Sequence, residues 1–236
     1  MVFLLIIGFI LGLTVPAIAS RFGKILPADP GLICAMLWHK PRFPKSTNLK
    51  RVNLLKSKWK QLMACSVAWG VILMGLFGCV YSFVQPDIHI YGYIFIYMTA
   101  LLMVVDQQYY LLPDFFTIPL LVLGVTAAYF APLDGLTMGE RLCGAWFGYL
   151  LSTVSVFIMF FFKKGEFGAG DVKMLTALGT WFGIMGLSVV LVLSFVFFAC
   201  CAFLKRVRAD AFGPALGSAG IIVFFLIYTK LWWTML

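Results

Sequence analysis

Residues 62–84 read LMACSVAWGVILMGLFGCVYSFV, an uncharged apolar run without the polar stripe of an amphipathic surface helix. An α-helix of about 20 apolar residues crosses the hydrocarbon layer of a bilayer, so this run has the length and composition of a span. Working outward, residues 1–20, 115–132, 142–162 and 216–236 each hold a run near or above that length. Over the whole chain 63% of residues are hydrophobic and 11% are charged. A soluble domain carries roughly 25% charged residues. A transmembrane barrel needs short alternating segments, and these blocks are continuous. The expected fold class is an all-α polytopic membrane protein, with no internal repeat and no low-complexity tract.

Just before that run lies a basic segment. Ten Lys/Arg and one acid, Asp29, fall between Arg21 and Lys60, so this segment carries a charge equal to the whole chain's +9. A basic loop between two spans is first a topology signal, because Lys and Arg are retained on the cytoplasmic side, and it can also meet anionic headgroups. No nucleic-acid reader motif accompanies it, so nucleic acid is not an expected partner and the bilayer is. The six cysteines show no CxxC spacing, and five lie in apolar blocks, which predicts neither a zinc site nor a disulfide framework. Residues 1–20 end in Ala17-Ile18-Ala19-Ser20, similar to a signal-peptidase site. No Lys or Arg precedes the run, however, and cleavage would leave the basic loop outside. A retained first helix is expected.

With residues 21–61 cytoplasmic, the remaining segments alternate. Residues 62–84 run outward, Gln85-Pro86-Asp87 turn outside, 89–105 return to end at Asp106, 115–131 run outward, and 142–162 return to Lys163-Lys164. The stretch 174–204 could cross once or twice. Two crossings, breaking near Gly183-Ile184-Met185-Gly186, keep Lys205, Arg206 and Arg208 inside, so the charge rule favours two. About eight membrane segments result, with sixteen Lys/Arg inside and only Arg141 and Lys230 outside. The chain divides into 1–61, a first membrane helix plus a short basic cytoplasmic loop, and 62–236, a membrane-embedded domain.

Two acids stand out at the cytoplasmic ends of apolar segments. Asp106 directly follows Thr99–Val105, and a carboxylate against the end of a membrane helix is costly if ionised and poorly solvated. The plainer alternative is a solvated helix end. Asp171 sits in Phe167-Gly168-Ala169-Gly170-Asp171-Val172-Lys173, where two glycines permit a tight turn and the carboxylate can enter the next helix near its positive end. An ordinary turn is the alternative there. As a pair they suit hydrolysis without metal or covalent nucleophile, one carboxyl keeping its proton while the other accepts one from water. Other hydrolase designs lack parts: His39 and His89 fall on opposite faces, and there is no HExxH or other zinc cluster.

Three stretches together carry a resemblance. Asp106-Gln107-Gln108-Tyr109-Tyr110-Leu111-Leu112-Pro113-Asp114 with Phe115-Phe116-Thr117-Ile118-Pro119 resembles the first signature of the type IV prepilin peptidases. Gly168-Ala169-Gly170-Asp171-Val172-Lys173 is similar to their GxGD signature, and Phe212-Gly213-Pro214 to the Phe-Gly-Pro before their last helix. Order and spacing agree from about residue 90 onward. The resemblance implies an intramembrane aspartic endopeptidase of the bacterial inner membrane, multi-pass with its active site facing the cytoplasm. It would cut the basic leader of prepilins or of type II secretion pseudopilins after a glycine. Asp106 and Asp171 match the catalytic aspartates; Asp114, Gly168, Gly170 and Lys173 are expected to shape the site. Many members carry a second acid where Gln108 stands, and many have two CxxC pairs that this chain lacks. Bifunctional members also methylate the new N-terminus. No motif for S-adenosylmethionine is found, so no cofactor is expected unless a methyltransferase activity is retained. The rival readings are a proton-coupled transporter, against which both acids lie near one face with no inverted repeat, and a non-catalytic pilus or secretion assembly subunit.

Overall fold

The computed structural model of the chain describes residues 1–22, 49–110, 112–130, 135–162, 169–205 and 211–229. They form seven α-helices: α1 (Val2–Phe22), α2 (Leu49–Phe83), α3 (His89–Tyr109), α4 (Asp114–Phe130), α5 (Met138–Phe162), α6 (Ala169–Lys205) and α7 (Gly213–Tyr228). Four of the described apolar stretches, Val2–Ser20, Met63–Phe83, Pro86–Tyr109 and Gly170–Leu204, are long and apolar enough to cross a membrane. The chain is an all-α membrane protein. α2 begins at Leu49, well inside the segment expected to be a loop, because its Leu- and Lys-rich sequence after Pro44 favours helix. The final helix begins at Gly213, earlier than the expected residue 216.

Two compact units are present, Met1–Gly78 and Cys79–Leu236. In the first, α1 and α2 pack antiparallel through glycines. A Cβ on Gly8 would come 3.1 Å from the Leu73 carbonyl oxygen, Gly12 lies against Trp69 and Gly70, and Gly78 lies against Leu5. Lipid tails are as apolar as leucine, so close backbone approach does much of the work that water exclusion does elsewhere.

The second unit is built around an aromatic core. Phe95 of α3 packs against Trp181 at 4.7 Å, Phe182 at 5.7 Å and Phe224 at 5.1 Å between ring centroids, joining α3, α6 and α7. Trp181 donates its Nε1–H to the Leu120 carbonyl at 2.9 Å, which ties in α4. α5 meets α6 backbone to backbone: a Cβ on Gly144 would lie 2.6 Å from the Gly179 carbonyl oxygen, and one on Gly148 2.7 Å from that of Leu175. Large apolar side chains such as Trp146, Phe195, Phe203 and Leu204 point outward, as lipid-facing residues do. α5 starts with a reciprocal cap. The Thr137 N–H donates to Glu140 Oε2 at 2.7 Å, and the Glu140 N–H donates to Thr137 Oγ1 at 3.3 Å. The Thr137 backbone N–H, then its hydroxyl, hold the exposed Glu140 carboxyl below its ordinary value against a smaller opposing effect of burial. This contribution is present above the unfolded value and is lost as pH falls through the lower folded one.

α6 is not one straight rod. At Gly183 the backbone takes φ 63 and ψ −169, a conformation essentially reserved for glycine. Leu175 and Leu187 both abut Gly148, the latter through Cδ2 at 3.0 Å from the glycine's Cβ position. Twelve residues of straight helix would separate them by about 18 Å. The two limbs therefore fold back on one another at Gly183, the break anticipated at Gly183–Gly186. Further along the second limb, Phe195 and Phe198 reach Phe212, at the start of α7.

A helix that breaks among apolar neighbours strands its last carbonyls. Arg141 resolves this. Its Nη1 donates to the Thr180 carbonyl at 3.2 Å and to the Trp181 carbonyl at 2.8 Å, while Tyr228 donates its hydroxyl proton to the Trp181 carbonyl at 3.1 Å. Arg141, expected to sit in the outer loop region, is instead 1% exposed. A guanidinium is stabilised at a helix C-terminus by the carbonyl dipoles, which offsets part of its burial.

Candidate active site

Asp106 occupies the last turn of α3. The helix stops three residues later because Tyr110 turns left-handed, at φ 54 and ψ 35, and donates its N–H to the Asp106 carbonyl at 2.8 Å. The Asp106 side chain is 5% exposed, and its Oδ2 accepts a hydrogen bond from the Gly213 N–H at 2.8 Å. That donor belongs to the first turn of α7, where the N–H groups have no carbonyl partner within the helix. A Cβ on Gly213 would lie 2.5 Å from Oδ2, so only glycine admits this contact without movement. Pro214 follows in the first turn, where it has no N–H to leave unpaired.

Asp171 lies in the first turn of α6 and is 9% exposed. The positive end of a helix favours a carboxylate there. The residues on either side of it touch the segment that follows α3. A Cβ on Gly170 would lie 2.6 Å from Leu112 Cβ, and Lys173 Nζ forms an ion pair with Asp114 Oδ1. Asp114 is the first residue of α4. The pair is roughly half exposed, so it supplies position more than energy.

The end of α3 and the starts of α4, α6 and α7 thus meet at one end of the unit. Asp106 and Asp171 are the buried carboxylates among the described residues. Gly170, Asp114 and Lys173 cluster beside Asp171; Gly168 lies outside the described residues, as do Glu166 and Asp210. His89 stands at the far end of α3, about 25 Å of helix from Asp106, with its Nε2 3.0 Å from the Val84 carbonyl. Among the described residues no three His, Cys, Asp or Glu side chains gather as a metal site would require. Sequence reasoning missed Gly213 as a site residue. The signal was present in a glycine placed directly before a helix-opening proline, but its partner is 107 positions away.

Fold and site define a class: a polytopic helical membrane protein with two buried carboxylates at one end of a helical bundle. Comparison narrows it. Residues 93–203 match the sequence model described as the type IV leader peptidase family. The chain is 37% identical over 125 residues to a prepilin leader peptidase/N-methyltransferase of Neisseria gonorrhoeae, covering 50% of this chain and 42% of that protein. It is 38% identical over 130 residues to the protein of that name from Pseudomonas putida, covering 51% and 44%. For the Vibrio cholerae protein the identity is 31% over 132 residues, covering 53% and 51%. The chain thus spans about half the length of the curated relatives it matches. No solved structure gives a significant match.

Proposed function

We propose that the chain is an intramembrane aspartic endopeptidase that removes the basic leader of a prepilin or pseudopilin. The observation that carries this reading is the placement of Asp106 and Asp171, buried carboxylates at one end of the unit and both within the family-matched stretch. Two carboxyls sharing a site do not both ionise readily. In the proposed step the ionised one takes a proton from water as the water oxygen bonds to the scissile carbonyl carbon. The protonated one gives its proton to the carbonyl oxygen. Collapse of the tetrahedral adduct then breaks the C–N bond: the carboxyl that took the water's proton gives it to the departing amine, and the other carboxylate takes a proton back from a hydroxyl of the adduct, which restores the starting pair. No cofactor or metal enters this chemistry.

We assign the peptidase to residues 62–236 and count eight membrane segments, taking the limbs of α6 separately. The positive-inside rule and the basic segment 21–60 support an inner-membrane protein with the site at the cytoplasmic face. The proposal is confined to hydrolysis, the chemistry that the two carboxylates within the family-matched residues 93–203 can carry.

The test is co-expression with a candidate prepilin, followed by mass spectrometry of its N-terminus. Cleavage should survive EDTA and 1,10-phenanthroline. Asp106→Asn and Asp171→Asn should each abolish it at normal membrane abundance, with the double variant no worse than either. Asp114→Asn should retain measurable activity. A well-inserted Asp171→Asn protein that cleaves near the wild-type rate would overturn the assignment.

A further inference from the structure

Asp106 sits at the end of a helix, where its own backbone offers carbonyls and not donors. One donor to its carboxylate comes from 107 positions further along the chain. The Gly213 N–H reaches Oδ2 at 2.8 Å in a buried setting. The missing side chain at 213 is what lets the α7 backbone come this close. Phe212, the preceding residue, is held by the rings of Phe195 and Phe198, each at 5.7 Å between centroids, on the returning limb of α6. The donor is therefore fixed on both sides, by an aromatic clasp before it and a proline-initiated helix after it.

Resting on the peptidase reading, we propose that Gly213 is a positioning residue for the reaction: its backbone N–H sets the orientation of the Asp106 carboxylate toward the reacting water. The motif Phe212-Gly213-Pro214 then has a division of labour. Phe212 anchors the turn, Gly213 supplies a donor without a Cβ, and Pro214 commits the chain to helix. The returning limb of α6, remote from the site in sequence logic, enters the active site through this clasp.

Substituting Gly213→Ala places a Cβ 2.5 Å from Oδ2, so the carboxylate or the helix must shift. A displacement of roughly 1 Å at a reacting group lowers turnover by about 100-fold. Gly217→Ala is the matched control. It crowds the same α3–α7 interface one turn further on, against the side chains of Met103 and Thr99 instead of Asp106. With purified protein and a prepilin leader peptide, Gly213→Ala should lose about 100-fold in kcat with KM changed by less than about threefold, and Gly217→Ala should keep most of its kcat. Equal kcat losses in the two variants, or a Gly213→Ala enzyme near wild-type turnover, would reduce the effect to packing and overturn the inference.

A second measurement does not depend on either glycine variant folding. In protein labelled with 15N-glycine, the Gly213 amide proton should move upfield in Asp106→Ala, which removes its acceptor, and hold its position in Asp171→Ala. A Gly213 resonance unmoved in Asp106→Ala overturns the proposal. A wild-type protein that leaves the leader uncut, or an Asp171→Asn protein that still cuts it, sinks the peptidase reading and this inference with it. Cleavage by the wild type, none by Asp171→Asn and full turnover by Gly213→Ala would sink this inference alone.

Discussion

Arg141 shows how far the surroundings of one side chain can depart from what its place in the sequence suggests. The alternation of the eight expected segments puts this basic residue on the outer side, after the turn around Asp134 and Gly135. In the structure it is enclosed and donates to the Thr180 and Trp181 carbonyls exposed by the break in α6. Removing it takes its donor from the buried Thr180 carbonyl and leaves the Trp181 carbonyl to Tyr228, at a cost on the order of 1–3 kcal/mol. Arg141→Met should accordingly lower the midpoint of SDS-induced unfolding. Arg141→Lys should fall between the two, because a single ammonium cannot match the fork of a guanidinium. An Arg141→Met protein as stable as wild type would mean that the carbonyls are satisfied without it. Asp106 and Asp171 were legible from the sequence because each follows a local signal, an apolar run or a Gly-x-Gly turn. Arg141 gave none, since its partners lie 39 and 40 positions downstream.

At the scale of the helix, α6 carries the greatest ambiguity. Its residues 174–204 are apolar or small throughout, so hydropathy alone permits one span. Charge favoured two, and the backbone at Gly183 and the shared contact of Leu175 and Leu187 with Gly148 show a fold-back. The first limb, from Ala169 to the break, is only about 20 Å long. This explains why the break must be satisfied from within the protein. A Cβ at Gly183 would meet nothing closer than 3.5 Å, so the cost of Gly183→Ala is conformational. It should destabilise the protein by about 1–3 kcal/mol while the folded fraction keeps its activity. Unfolding curves paired with specific activity per folded molecule check this, and an unchanged midpoint would contradict the assigned backbone geometry.

Over the whole molecule, the fold-back has a consequence for sidedness. Tyr110, beyond Asp106, and Leu204, on the second limb, should lie on the same side of the membrane, with Met138 on the opposite side. In a variant freed of native cysteines, single cysteines at Tyr110 and Leu204 should resist impermeant maleimide in intact cells. One at Met138 should react. Labelling at Leu204 but not at Tyr110 from outside would mean that 174–204 crosses once, and labelling at both would break the proposed cytoplasmic orientation of the site.

What the sequence determined by itself was local in origin. Continuous apolar runs required membrane helices, the clustered Lys/Arg of residues 21–60 gave the orientation expected for them, and two carboxylates at the ends of such runs marked the candidate site. These readings need only neighbours within a turn or a span. Tertiary structure alone decided which backbone donor holds Asp106, why Arg141 is buried, and how the limbs of α6 sit against Gly144 and Gly148. Each of these depends on groups far apart in the chain meeting at hydrogen-bond or van der Waals distance. No period, charge pattern or turn signal encodes such a meeting, because the same glycine or arginine makes a different contact against every different neighbouring helix.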